Sequence, residues 1–533
     1  MMKVYRVYGR RRRQIEKAII GIAAIVLIVG VVSAYLIFMP TPEQKTISQL
    51  QFDSSVTSEE KQVIEAAISS QSKTLNGSVS VSVQTTLDAS TPSHILSVYV
   101  PVTNFYASRQ QISKSELADT TVYVEPSTDS RIRSDIASTI GINQAKLQSF
   151  PASLESVADT AVAFVPFSNL SYKVKLLNFN GTYYLDNYTK GAVFRQAVFS
   201  GSGANSLADI KLNDYPTTLT TLKINMTGVT ALTRKFIVRE AALHNPDYFS
   251  QKIAQFLANA DITHVSNEVS FKTGCQAEDM VFCAPSDLIQ TLKSSGVNLV
   301  ELTGNHNNDM GSDLNTATIN EYHQLGWHTF GGGLNAAEAA KPYIADKKGS
   351  KVAFLGYNYA DSPNGGPIAT ATTAGSNSFS FDKIKADIDS AKESGDFVIV
   401  DVQYNECYAY PAFHTEITQC DLPIVNQRQD FRHIIDLGAD MVIGTQAHQP
   451  QIYEIYKGKT IYYGLGNLFF DQVEWPGTER GIILTHYLYK GRLLQTRLSP
   501  TVYDTSLQTH LMSDADATAL LQRLVTSRMS AGL

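Results

Sequence analysis

Apolar positions along the 533-residue chain change their spacing several times, and each change predicts a different kind of structure. Residues 18–39, AIIGIAAIVLIVGVVSAYLIFM, run apolar without a single charge. As a helix rising about 1.5 Å per residue, this run extends roughly 33 Å, enough to cross a hydrocarbon core of about 30 Å. Residues 40–74 turn to Ser, Thr and Gln, a linker with one helical patch, SEEKQVIEAAIS, for which Ser58 is the predicted N-cap ahead of an acidic first turn. From 75 to 215, runs such as SVSVSVQTT, HILSVYVPVTNFY and TAVAFVPFSNL read as strands, and ISKSELAD and SDIASTIGI as short helices, which predicts a small α/β domain. From 220 to 505 strand-like runs (LKINM, ITHVSNEVSF, VNLVEL, KVAFLGYN, DFVIVDVQYNE, ADMVIG, TIYYGLG) alternate with helical ones (FIVREAALHNPDYFSQKIAQFLANA, PSDLIQTLKSSG, SDLNTATINEYHQLG, FDKIKADIDSAKES, NQRQDFRHIIDLG). That alternation predicts a larger α/β sheet domain. Residues 506–533 read as a helical tail, amphipathic from Ser513 onward.

Charge orients the first of these segments. Lys3, Arg6, Arg10, Arg11, Arg12, Arg13 and Lys17 crowd residues 1–17 against Glu16 alone, so the formal charge of −6 for the whole chain leaves the rest near −12. A basic flank before an apolar helix predicts a single-pass anchor in the cell membrane, its N-terminus cytoplasmic and everything after Pro40 outside. A cleaved signal peptide is the rival reading, but its apolar core is usually about 7–15 residues long. An acidic main body excludes nucleic acid as its partner class. Four cysteines agree with an oxidising compartment: Cys275 with Cys283 and Cys407 with Cys420 is the local pairing among three possible connectivities. An all-cysteine zinc site is the alternative, and no C-x2-C pair supports it. Five N-x-S/T sequons, at Asn76, Asn169, Asn180, Asn187 and Asn225, acquire meaning only in a eukaryotic secretory host.

Chemistry is expected where buried strands stop. Two stretches end an apolar run in amides and imidazoles: GVNLVELTGNHNNDMG, residues 296–311, and GADMVIGTQAHQPQIYEIYKGKTIYYGLGN, residues 438–467. On residues alone the first of them reads equally as a self-capping turn, and His448 as a hydrogen-bonded structural imidazole. The remaining histidines, among them His264, His414 and His486, have no such setting and read as surface or core residues. His414 falls in the Cys407 to Cys420 loop, which by position is a lid over the strand ends.

From Leu222 to near Pro500 the chain resembles the CapA family of poly-gamma-glutamate capsule synthesis proteins, whose fold is related to the calcineurin-like metallophosphoesterases. GADMVIGTQAHQPQIYEIYKGKTIYYGLGNLFFDQ carries the resemblance most strongly, and PSDLIQTLKSSGVNLVELTGNHNNDMG nearly as well. The family's motifs imply a metal centre, and this chain keeps them in part. GVTALTR has Val229 at the metal-bridging aspartate position and retains Arg234. SNE retains Glu268, with Ser266 at an asparagine position. Asn305, His306, Asp309 and Gly311 are intact. VIVDVQYNECY places Gln403 at a histidine position, with Glu406 matching the family's glutamate after a one-residue slip, and GTQAH retains His448 while Gln446 replaces an earlier histidine.

The resemblance therefore implies a ligand set of Glu268, Asn305 and His448, an acid pair of His306 and Asp309, and a pocket lined by Arg234, Gln403, Glu406, Gln446 and Asn467. One divalent cation (Mn, Zn or Mg) held there and no metal at all are both open, because neutral amides are weaker ligands than the residues they replace. The function implied is that of an outward-facing accessory protein in the synthesis, export or anchoring of an anionic capsule or exopolymer, working with other membrane proteins of a capsule synthesis complex. The alternative is a metallophosphoesterase-like surface hydrolase of phosphoester or gamma-glutamyl bonds. The 75–215 segment bears a fainter likeness to a periplasmic solute-binding domain, of the kind that binds phosphate or other small solutes.

Overall fold

The computed structural model describes residues 49–532, apart from 151–157, 277–280, 360–366, 396, 405–419, 424 and 473. The basic N-terminal segment, the apolar run 18–39, Glu406, Cys407 and His414 lie outside the described residues, and among the described residues no helix is long and apolar enough to cross a membrane. The protein is mixed α/β and divides into two compact units. One comprises the residues up to Ser97 together with Phe194–Asp214, the other Val98–Val193 with Tyr215–Leu533. The segment expected as one small domain, 75–215, is thus divided between them.

In the first unit the strand Leu50–Phe52 runs parallel to Val79–Gln84, which pairs antiparallel with the strand ending at Ser200. The helix Ser58–Ser70 covers them, burying Ile64, Ala67 and Ile68 against Val79, Val81 and Ala197. Its N-cap is Thr57 rather than Ser58: the Thr57 hydroxyl accepts the Glu60 amide while the Glu60 carboxylate accepts the Thr57 amide, so two otherwise orphaned donors are satisfied reciprocally. Glu60 also receives Arg195, at 2.6 and 2.8 Å, in an ion pair that is almost wholly buried.

The second unit is built on two facing sheets. One runs His328–Phe330, Leu299–Glu301, Ile262–Asn267 and Leu222–Met226 in parallel, then continues antiparallel through Arg480–Tyr489, Arg492–Val502 and His510–Leu511. The other places Ser350–Asn358, Phe397–Gln403, Met441–Gly444 and Lys459–Tyr462 in parallel between antiparallel edge strands Tyr343–Lys347 and Tyr453–Tyr456. Ile224, Ile262, Leu299 and Leu484 of the first sheet meet Phe354, Ile399, Met441 and Ile443 of the second in one core. The opposite faces, carrying Val265 and Val300 on one side and Val398, Val400 and Val442 on the other, bury against helices. Because side chains alternate along a strand, each central strand is apolar on both faces, which is why these runs read as continuous rather than alternating.

Helices fall close to expectation at Ser312–Gln324, Phe381–Glu393, Val425–Asp436 and Asp514–Ser530. The expected long helix after Arg234 is instead two short ones, Lys235–Leu243 and Ala254–Ala258, because His244 turns to φ 49° and ends the first. The C-terminal helix is part of the core: Leu520, Leu521 and Leu524 enter the inter-sheet layer, and Arg523 grips Asp421. The strand Ile95–Asn104, from Val98 onward, with the strands Val122–Val124, Leu147–Ser149 and Val162–Pro166 and the helix Ser130–Ile140, forms a second α/β layer in this unit around Val122, Ile136, Val162 and Phe164. Gln495 ties it to the main sheet by accepting the Leu176 amide and donating to the carbonyls of Ser171 and Val174. Cys275 and Cys283 are joined in a disulfide, and Cys420 is disulfide-bonded as well.

Candidate functional site

Short strands and close backbone contacts gather the expected residues at one end of the two sheets. The two-residue strand Val229–Thr230 lies between Ile262–Asn267 and Asn467–Phe469, so Val229 stands beside Ser266 on one side and Asn467 on the other. Glycine allows this approach: a Cβ on Gly228 would sit 1.9 Å from the Gly466 carbonyl, and one on Gly304 would sit 2.6 Å from the Glu268 Cα. Without Gly304 the turn that carries Asn305 would be pushed off Glu268.

Three of the expected residues converge on one atom of a fourth. The Gln403 amide nitrogen donates toward Glu268 Oε1 at 3.1 Å and Asn305 Oδ1 at 3.0 Å, and also to Gln446 Oε1. The carbonyl end of the same amide accepts from Asn358 Nδ2 at 2.7 Å, and that nitrogen donates as well to the Thr303 carbonyl. Asn358 sits directly beside Gln403 on the neighbouring strand. Its part was not visible in the sequence, where it closes the strand-like run KVAFLGYN without any sign of chemistry.

His448 lies next to this group, its Nδ1 2.8 Å from Asn467 Oδ1. Asn467 donates its own amide hydrogens to Gln472 Oε1 and the Thr478 carbonyl, which leaves its oxygen facing the imidazole. The His448 Nδ1–H is therefore the donor of this bond.

Arg234 and the His306–Asp309 pair form the flank. His306 Nδ1 is 2.7 Å from Asp309 Oδ2, which also accepts the Phe282 amide. Phe282 packs on His306 at 4.3 Å between ring centroids, and Phe470 on His448 at 5.0 Å. The Arg234 guanidinium lies 4.9 Å from the centroids of both phenyl rings and forks onto Asp471 Oδ1 through Nε and Nη2. Burial raises the Asp471 carboxyl, with Arg234 pulling the other way. Arg234 has φ 47°, a left-handed backbone that costs energy in a non-glycine residue, and Asp471 also accepts the Lys235 amide and so holds the turn.

Beneath the pocket the inter-sheet layer grows polar toward the strand ends. Two residues back along their strands from Ser266 and Gln403, on the same inward face, stand His264 and Asp401, and Glu301 lies beside Ser266 on the neighbouring strand; all three are fully buried. His264 Nδ1 accepts the Thr227 amide at 3.3 Å, so its proton is on Nε2, 3.4 Å from Asp401 Oδ2. Burial pushes the Glu301 carboxyl up to about 7 and Asp401 well above the usual carboxylate range, with Glu301 adding to the latter. Burial likewise pushes His264 and His486 down to about 3. Glu301 and Asp401 were not among the expected residues; the available signal was a single acid inside an otherwise apolar run, VNLVEL and FVIVDV. Among the described residues no group of three or more His, Cys, Asp and Glu side chains is arranged to hold a metal ion.

Residues 223–472, which include every residue that the sequence places at the site, match the family model described as bacterial capsule synthesis protein PGA_cap. The chain is 26% identical over 255 residues to a capsule biosynthesis protein CapA of Bacillus anthracis, covering 46% of this chain and 59% of that protein. It is 26% identical over 213 residues to a PGA biosynthesis protein CapA of Bacillus subtilis, covering 40% and 52%. The chain thus spans little more than half the length of these two relatives. A sulfate thiohydrolase SoxB structure aligns with a TM-score of 0.26 over 46% of this chain and 39% of that one, at 12% identity, which carries no argument about fold or chemistry.

Proposed function

With residues 223–472 belonging to the bacterial capsule synthesis protein PGA_cap family, we propose that this chain takes part in the synthesis, export or anchoring of an anionic exopolymer of the poly-gamma-glutamate kind, without itself cutting the polymer. The observation that carries the reading is that the family match spans the strand-end pocket itself, from Glu268 and Asn305 to His448 and Asp471, and not merely the scaffold around it. The metallophosphoesterase-like character of the two-sheet domain belongs to the same reading. So does the place of the chain: residues 18–39 anchor it in the cell membrane, the pocket faces outward, and its partners are the polymer and other membrane proteins of a capsule synthesis complex.

The pocket suits handling a polyanion. Arg234 presents a guanidinium 4.9 Å from the ring centroids of both Phe282 and Phe470, near the partly exposed His306. Arg offers five donors in a planar fork, and Asp471 engages those on Nε and Nη2, so others remain to meet a carboxylate.

Fluorescently labelled poly-gamma-glutamate, titrated against the full chain in detergent, tests the proposal by anisotropy, with polymer length followed by gel filtration in parallel. The expected result is salt-sensitive binding, weakened by Arg234→Gln, with no shortening of the polymer. Absence of binding overturns the proposal. Shortening of the polymer, or hydrolysis of bis(p-nitrophenyl) phosphate, that disappears in His448→Ala would establish a hydrolase instead.

A further inference from the structure

The family resemblance implies a dinuclear metal centre at these strand ends, and the side chains present do not fit one. Two cations about 3.5–4 Å apart need a shared anionic bridge. Val229 occupies the bridging position, fully buried, with its side chain in the apolar helix-side core.

The remaining oxygens are already gathered around a donor. Glu268 Oε1, Asn305 Oδ1 and Gln446 Oε1 converge on the Gln403 amide nitrogen. Which end of that amide faces them is decided by a chain of donors. The Thr303 carbonyl accepts from Asn358 Nδ2, so it is the nitrogen of Asn358 that faces Gln403, and it takes the Gln403 carbonyl oxygen at 2.7 Å. The Gln403 nitrogen is thereby turned to the three oxygens. Reversing the amide would set its oxygen among theirs and its N–H groups against the Asn358 donor, leaving both sides unmatched.

Three oxygens, one of them a carboxylate, around a centre of positive charge is the kind of shell a hard cation collects. Here the two N–H hydrogens of a neutral carboxamide, which carry only partial positive charge, face those oxygens. We infer that the Gln403 carboxamide stands in for the metal ion as the cross-link of this pocket, so that the site works as a metal-independent arrangement of hydrogen bonds with Glu268 as one of its acceptors. The inference goes beyond the exopolymer reading and holds or fails separately from it, since it concerns what binds the four side chains together and not what the pocket receives.

Metal content decides the matter. The full chain, its Gln403→Glu and its Gln403→His variants are incubated with Mn2+ or Zn2+, desalted, and analysed by inductively coupled plasma mass spectrometry, with thermal midpoints measured in the presence and absence of each ion. Circular dichroism confirms that each variant is folded. The parent chain is expected to retain no stoichiometric metal and to show no metal-dependent rise in its midpoint. The variants replace the donor by a ligand, and the better folded of the two is expected to retain about one equivalent and to melt higher with the ion present. One equivalent of metal in the parent chain, lost in Glu268→Ala, overturns the inference. So does a folded pair of variants that remains metal-free. Polymer binding plays no part in this readout, so a failure here is distinct from a failure of the proposed function.

Discussion

His448 Nδ1 and Asn467 Oδ1 lie 2.8 Å apart, and the direction of that bond follows from Asn467 committing both amide hydrogens elsewhere, to Gln472 and to the Thr478 carbonyl. Asn467→Ala takes the acceptor from a buried N–H and breaks the link between two strand ends. The expected loss is about 1–3 kcal/mol, the usual consequence of orphaning a buried donor. Chemical denaturation of the variant against the parent chain measures it. Nitrogen-15 spectra of the imidazole should show the proton on Nδ1 in the parent and a mixture of tautomers in the variant.

In the first unit Arg195 and Glu60 form a bidentate ion pair in which both side chains are almost fully buried, and Glu60 doubles as the capping acid of the helix Ser58–Ser70. Arg195→Met leaves a buried carboxylate without its cation, which costs about 3–5 kcal/mol. The double variant Arg195→Met with Glu60→Gln should recover part of that loss. Thermal melts of the two variants test the ordering, and a double variant less stable than the single one would refute it.

Glu301 ties stability to pH. Its carboxyl is pushed up to about 7 by burial, above the value near 4.5 of an exposed glutamate, so between those two pH values the folded chain holds a proton that the unfolded chain has released. The contribution is fully present below about pH 4.5 and is lost as pH rises toward 7, on the order of 3 kcal/mol in all. His264 and His486, pushed down to about 3, act in the opposite sense, their contribution fading as pH falls below the value near 6.5 of a free imidazole. Comparing Glu301→Gln with the parent chain at pH 5 and pH 8 isolates the first effect: the variant should gain on the parent at pH 8. A constant difference between the two would show that Glu301 does not titrate in this way.

Arg234 depends on its plane as well as its charge. Two phenyl rings and Asp471 surround the guanidinium, and Arg234→Lys keeps the charge while losing the planar ring contact and the fork. Polymer binding is expected to fall about tenfold, equivalent to about 1.4 kcal/mol. Titration of the variant at two salt concentrations checks this, and an unchanged affinity would place the polymer elsewhere on the chain.

Apolar period and strand-end composition determined a good deal in advance. The alternation of strand and helix runs announced an α/β domain, and helices such as Ser312–Gln324 and Phe381–Glu393 begin and end within a residue or two of expectation because their caps and apolar stripes are local signals. Glu268, Asn305, Gln403 and Gln446 were named from their strand ends, and their side chains do meet, while His448, named with them, bonds Asn467. Period alone did not say which sheet each strand joins, so Asn358, 45 residues from Gln403 along the chain, was invisible as its partner. Nor did it say that Glu301 and Asp401, each one acid in an apolar run, face inward across the same layer as His264. The polarity of the Gln403 amide is the clearest case. Residue type marks it as both donor and acceptor, and only the Thr303 carbonyl and Asn358, brought to its other end by the pairing of neighbouring strands, turn its nitrogen toward the oxygens of Glu268, Asn305 and Gln446. Local sequence determines which groups stand at a strand end; the direction of a hydrogen bond depends on what the fold places on its far side.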